Sequence, residues 1–276
     1  MTFKALQMAQ VRRAAAERDR AAWKSVLGAA VRTLVAAAVS AGLSLGAWEG
    51  WQWATASDTF AVREIRFTGL VHASELDLVQ RSGLKLGDNL FRADLSRAAR
   101  AIQAHPWVSS VRLDRRLPGE VVASVVEHRP AALVQLGAIY VLDDQGRLFK
   151  RAAPEDALDL PLLTGLPREA WAERKPEAQL RLFSALHLLD TWRAAGFAIV
   201  AVSEVRLDED GGFTLFAHDG TAVQEVRLGS SEISLKLQRL AQVRAALARR
   251  GERAARIDLD NPARPDQAAA TLADKR

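Results

Sequence analysis

Residues 94–130, DLSRAARAIQAHPWVSSVRLDRRLPGEVVASVVEHRP, decide the fold class. Asp94 has the character of a helix N-cap, and Leu95, Ala98, Ala99 and Ile102 follow at i, i+3, i+4 and i+7, one face of an amphipathic helix. His105-Pro106 stops that helix, because proline disfavours helical geometry in its predecessor. The period then changes to two. Trp107, Ser109, Val111 and Leu113 alternate with Val108, Ser110, Arg112 and Asp114, Leu117-Pro118-Gly119 turns the chain, and Val121 to Glu127 returns as a β-branched strand. A helix therefore leads into a β-hairpin. Working outward, Ile65 and Phe67 alternate with Arg66 and Thr68 in a strand within 60–68 that ends at Gly69. Ser74-Glu75-Leu76-Asp77 has capping-box spacing, with Leu76 and Val79 expected on the buried face and Gly83 closing the helix. The order over 60–130 is strand–helix–helix–strand–strand, and the fold class is α+β.

Upstream lies one apolar span, expected over 26–48. Residues Thr33–Trp48 carry no charge. At about 1.5 Å per residue they cover roughly 24 Å, and extending the count back to Val26 makes the span long enough for a hydrocarbon core of about 30 Å. The Arg32 stem can lie along the helix with its guanidinium at the interface. Trp23 precedes the span, and Trp48, Trp51 and Trp53 follow, where an indole can bury its ring and keep N–H near water. Residues 1–32 hold seven Lys/Arg and two acids, and the next 28 residues hold no Lys/Arg. This asymmetry predicts a basic cytoplasmic arm (1–25), a transmembrane helix (26–48), a juxtamembrane linker (49–59) and everything later on the far side. Two competing readings are a buried soluble helix and a cleaved signal peptide with Ala54-Thr55-Ala56 at the cleavage site.

The net charge of +5 is carried by residues 1–32: the remaining 244 residues hold 31 basic and 31 acidic side chains. It is an orientation signal rather than a nucleic-acid footprint. The chain has no cysteine, which rules out disulfides and thiolate zinc sites.

A second module is expected over 131–260, with a tail over 261–276. Residues 133–142 read as a strand, Asp143-Asp144-Gln145-Gly146 as a turn into Leu148-Phe149, and Leu160–Leu166 as a further extended stretch. A helix from about Pro176 presents Leu182, Phe183, Leu186 and Leu189. Strands near 202–207, 213–217 and 222–228 are joined at Asp210-Gly211-Gly212 and Asp219-Gly220, both hairpin signals. A second helix follows Gly229-Ser230-Ser231, with Ile233, Leu237, Leu240 and Leu247 on one side and Gly251 at its end. A short strand near 257–259 comes last.

Candidate chemistry is sparse. Histidines 72, 105, 128, 187 and 218 show no i, i+3 or i+4 pairing, so no metal site is expected. Glu127 and His128 are neighbours on a strand and point to opposite faces, which argues against an acid–base dyad. There is no GxSxG, P-loop or strand-linked GxGxxG. Arg115-Arg116, beside the hairpin turn, read either as a solvated turn or as a contact for another protein. No cofactor, nucleic acid or small-molecule substrate is implied.

Gly87-Asp88-Asn89-Leu90-Phe91, Pro106-Trp107-Val108, Arg115-Arg116-Leu117-Pro118 and Val126-Glu127-His128-Arg129-Pro130, in that order behind a single anchor, resemble the POTRA module of the bacterial FtsQ/DivIB division proteins. The elements of 131–260 resemble that family's β-domain. The resemblance implies a transmembrane helix, a POTRA module (β-α-α-β-β) and a mixed β-domain with two helices. It implies a non-enzymatic divisome scaffold in the inner membrane whose terminal β-domain binds FtsB by strand addition, together with FtsL. On this chain the implied partner-binding residues are Ile257, Asp258 and Leu259, then Ala268, Ala270 and Leu272, with Arg115 and Arg116 at a second surface. Pro262 and Pro265 interrupt the terminal segment, since proline cannot donate to a ladder. The partner edge is therefore expected to be shortened, moved to the 213–228 hairpin, or absent in a frayed tail after Leu259. A POTRA-bearing transport component and a membrane-tethered envelope hydrolase are the alternative readings.

Overall fold

The structure is a computed structural model that describes residues 3–198, 202–219, 222–261, 263–264 and 267–273. By contact the chain divides into two compact units. One comprises Met1–Arg66, Gly83–Ser96 and Leu113–Ala123, the other Phe67–Ser82, Arg97–Arg112 and Ser124–Arg276.

The first helix, α1 (Phe3–Ala56), is continuous over 54 residues. Its apolar portion runs Val31–Ala56, long enough to cross a membrane, and none of it is buried against protein. Ser40, Ser44 and Thr55 donate their hydroxyls to the carbonyls of Ala36, Ser40 and Trp51, so these polar groups are satisfied within the helix itself. The helix continues through Trp51 and Trp53 to Ala56, into the stretch expected as a juxtamembrane linker (49–59). Residues 51–56 contain neither Gly nor Pro to break it.

A 3-10 turn follows (Asp58–Phe60), capped by the Ser57 hydroxyl accepting from the Thr59 N–H. Then come β1 (Glu64–Thr68), α2 (Glu75–Ser82), α3 (Leu95–Gln103), β2 (Val108–Arg116) and β3 (Glu120–Glu127), and the three strands form a sheet in the order β1-β3-β2. In the first unit, residues 60–62 are laced to the 87–90 loop: Val62 N–H donates to Asp88 O, Gly87 N–H to Val62 O and Leu90 N–H to Phe60 O. Within α2 the inward residue is Leu78, fully buried, whereas Leu76 is 67% exposed. The helix starts at Glu75, and its i, i+4 row Leu78–Ser82 faces inward, not the row through Leu76.

Gly69 shows why glycine ends β1. Its φ is +84°, and a Cβ there would run into the Val125 carbonyl oxygen.

The remaining strands are β4 (Pro130–Gln135), β5 (Ile139–Asp143), β6 (Leu148–Arg151), β7 (Leu162–Thr164), β8 (Val202–Leu207), β9 (Phe213–Asp219), β10 (Ala222–Gly229), β11 (Ala254–Asp258) and β12 (Ala269–Leu272). They form one mixed sheet in the order β12-β11-β10-β9-β8-β7-β4-β5-β6. The stretch 133–142, expected as one strand, is the hairpin β4–β5, reversed where Gly137 takes a φ of +76°. Two long helices, α5 (Lys175–Ala194) and α6 (Ile233–Arg249), contribute to this unit's core, and a short α4 (Arg168–Glu173) precedes them without having been expected. Leu182, Leu186, Leu189 and Trp192 of α5 join Leu237 and Leu240 of α6, Val205, Leu215 and Val226 of the strands, and Ile257 of β11. Phe183 departs from its expected inward place: it is 55% exposed and lines a groove of about 630 Å³ with His187, Phe213 and Ile233.

The second unit also explains Glu127 and His128. The Glu127 carboxylate accepts the N–H groups of Val71, His72 and Ala73, while His128 Nδ1 lies 2.8 Å from Asp143 Oδ2. The two side chains serve different partners. His72 stacks on Trp107 at 4.0 Å and His128 on Phe149 at 4.5 Å. The Arg147 guanidinium bridges Asp143 and the Ser109 hydroxyl.

Candidate functional site

The arrangement with most capacity for recognition is the β12 end of the nine-stranded sheet. Its foundation is β11. Ile257 pairs with Val226 in a parallel register with β10 and with Ala270 in an antiparallel register with β12. Both edges of β11 are thus occupied. Ile257 and Leu259, expected at the partner-binding end, are fully buried: their side chains belong to the core and hold the terminal strands in place. Asp258 is partly buried and accepts the Asp260 N–H.

Just after β11, Leu259 N–H donates to Arg227 O. Lys236, 95% buried on α6, donates to Leu228 O and reaches Asp260 Oδ1 at 3.0 Å. A buried ammonium with both a carbonyl and a carboxylate partner pins the chain where it leaves the sheet. Next to it, Gln224 donates to Ala254 O and accepts from Arg244, whose guanidinium also lies over the Trp192 and Phe197 rings. The chain then loops out, with Arg264 N–H bonded to Asn261 O and Gln267 N–H to Arg264 O. Pro262 and Pro265 lie outside the described residues.

Among the described residues the chain then returns. Ala269–Leu272 pairs antiparallel with β11 as Asp258↔Ala269, Ile257↔Ala270, Arg256↔Thr271 and Ala254↔Leu272. The Ala273 N–H to Arg253 O bond at 2.8 Å extends the pairing by one residue. Low strand propensity in QAAATL is overridden by the ladder that β11 offers. All four β12 residues are exposed, and Ala268 packs partly against the core. The expectation of a frayed tail directly after Leu259 is thereby corrected, as is a partner edge at 213–228: β9 lies between β8 and β10, and β10 between β9 and β11.

The sheet's two ends differ chemically. β6 reads LFKR, with Lys150 ion-paired to Asp156, and basic residues on an edge discourage further pairing. β12 reads AATL and carries no charge. Burial would raise the Asp156 carboxyl, but Lys150 and the Ala153 N–H outweigh it and hold it below the ordinary aspartate range.

Arg115 and Arg116 separate. Arg115 donates Nε–H to Leu90 O at 2.8 Å and an Nη–H to Ala93 O at 2.7 Å, fastening the 90–93 loop within the first unit. Arg116 is exposed. Among the described residues, no three His, Asp or Glu side chains converge in a way that would hold a metal ion.

Residues 60–128 match the family described as POTRA domain, FtsQ-type, and residues 132–260 match Cell division protein FtsQ/DivIB, C-terminal. The chain belongs to the FtsQ/DivIB family. It is 41% identical to the Cell division protein FtsQ of Anaeromyxobacter sp. (strain K) over 97% of this chain and 89% of that one. Identity to the FtsQ of Myxococcus fulvus is 39% over 92% of this chain and 89% of that protein. The Cell division protein DivIB of Solibacillus silvestris is 27% identical over 64% of this chain. The FtsQ/DivIB match ends at residue 260, so β12 lies beyond it. A short alanine-rich segment carries little signal of its own, and its strand is defined by what it pairs with.

Proposed function

We propose that this chain is a membrane-anchored divisome scaffold of the FtsQ type, with 1–25 in the cytoplasm and its two modules, 60–130 and 131–260, on the other side of the membrane. In this reading it takes up a strand from an FtsB-type protein along the open edge of β12, with an FtsL-type protein accompanying it, and so helps control septal peptidoglycan synthesis without chemistry of its own. The observation that carries this is the uncharged β12 at one end of the sheet, all four of whose residues are exposed. Its outward N–H and C=O groups are a template for another strand, and the alternating side chains set register. The basic arm before an uncharged span supports the orientation.

The test is co-purification of the full chain, and of a chain ended after Asp260, with the extracytoplasmic segments of the FtsB- and FtsL-type proteins of the same cell. Ending at Asp260 keeps Ile257, Leu259 and the Lys236–Asp260 pair, so the sheet loses only β12. Binding by the full chain and loss in the shortened one is expected. Equal binding by both moves the interface elsewhere.

A further inference from the structure

We propose that the loop Asn89–Ala93, more than thirty residues beyond the anchor in sequence, sits in the interfacial layer of the membrane that α1 enters. The rings of Trp51, Trp53, Phe60 and Phe91 then form one lipid-facing collar. The inference rests on α1 being the anchor.

The first support is a helix cap supplied from afar. The last carbonyls of a helix lack intrahelical partners. Here the Asn89 side-chain amide donates to Ala54 O at 2.9 Å and to Ser57 O at 3.3 Å, and its oxygen accepts the Phe91 N–H at 3.0 Å. The loop's other end is held by Arg115 through Leu90 O and Ala93 O. Loop and helix end are therefore hydrogen-bonded together, and the height of one sets that of the other.

The second support is continuous ring contact. Trp51 meets Phe91 at 6.0 Å between centroids, Phe91 meets Phe60 at 5.0 Å, and Phe60 meets Trp53 at 5.7 Å. Trp51 and Trp53 nevertheless stay 55% and 62% exposed. An indole packed on one side and open on the other suits the boundary between hydrocarbon and water.

The third support is height. The uncharged run Thr33–Trp48 ends at Glu49, and Trp51 is two residues further, about 3 Å along the axis at about 1.5 Å per residue. A carboxylate at 49 marks the end of the hydrocarbon, so Trp51 and Trp53, just past it, fall in the interfacial layer. Phe91, in contact with Trp51, is at that boundary too. Asp88 and Asp94 bracket the exposed Arg92, so ring burial rather than net charge drives the contact. The occupant is the phospholipid interface itself.

Because the chain has no cysteine, single nitroxide labels can be placed on the full chain as Arg92→Cys, Ala47→Cys within the span, and Glu209→Cys on an exposed turn. The chains are reconstituted in phosphatidylcholine vesicles and in vesicles of phosphatidylcholine with phosphatidylglycerol. Collisions with oxygen and with a water-soluble nickel chelate are then measured. The expected result is several-fold lower nickel accessibility at 92 than at 209, equal in both lipids. Asn89→Ala should raise it at 92, with an unchanged circular dichroism spectrum. Nickel accessibility at 92 equal to that at 209, while the label at 47 is shielded, overturns the proposal and leaves the anchor standing. A label at 47 open to nickel overturns both. Dipolar broadening at 92 would mean that a second copy, not lipid, covers the loop, and overturns the proposal as well.

Discussion

Arg115 and Arg116 are neighbours of identical chemistry with different work. The first ties down a loop through two carbonyls, and the second projects from a strand end. Charged donors to backbone acceptors contribute about 1.5–3 kcal/mol each, less where solvent reaches them. Arg115→Ala should therefore cost about 1–2 kcal/mol in urea unfolding followed by Trp fluorescence, while Arg116→Ala should stay within about 0.5 kcal/mol. Asp143 couples stability to pH. Burial raises its carboxyl, but the Arg147 N–H, the His128 ring and the Arg147 guanidinium outweigh that and hold it below the ordinary aspartate range. Glu127 is lowered likewise by the N–H groups of residues 71–73 and by His72, against its burial. A carboxyl lowered in the folded state stabilises it above the unfolded pKa, and that stability is lost as pH falls through the folded value. The unfolding midpoint should therefore decline between about pH 5 and pH 2, and Asp143→Asn should flatten part of that decline.

At the scale of elements, β12 and α1 share a lesson: each is extended or completed by something distant. β12 exists because β11, itself locked between β10 and the core, offers a ladder. In an antiparallel pair, successive N–H groups point alternately toward and away from the neighbouring strand. Proline at 270 and proline at 271 should therefore act differently. One removes a bond to β11 and lowers the unfolding midpoint. The other removes an outward donor and leaves the midpoint nearly unchanged. Both should weaken capture of an FtsB-type strand in the co-purification. If neither does, the outer edge of β12 is not the contact. α1 runs past its expected end because Asn89 meets its last carbonyls, a partner separated from Ala54 by 35 positions.

At the scale of the whole molecule, division by contact does not fall at residue 130. Segments 67–82, 97–112 and 124–130 group with the nine-stranded sheet. The ties are specific: Glu127 to the N–H groups of 71–73, His128 to Asp143, Trp107 to Phe149, and Arg147 to Ser109. None is visible in a linear reading, because each joins residues chosen by folding. The candidate edge is likewise a whole-sheet property. Only the order of all nine strands shows that the 213–228 hairpin is interior and that β12 and β6 are the ends.

The apolar N-terminal helix, the α+β class and the two long helices were legible in the chain itself, because local periodicity, turn residues and charge asymmetry act over short spans. The family was legible only as a resemblance, carried by ordered motifs such as Gly87–Phe91 and Arg115–Pro118. Where the starting phase of a helix set the face, as with Leu76 and Leu78, or where an apolar side chain lines a groove, as Phe183 does, the pattern was not enough. Tertiary structure alone decided that Ile257 and Leu259 are core, that alanines 269 and 270 form a strand, that Arg115 is a fastener, and that Phe91 meets the end of the anchor. In each case the deciding partner lies far along the chain, and its hydrogen bonds or packing outweigh the intrinsic preference of the local residues.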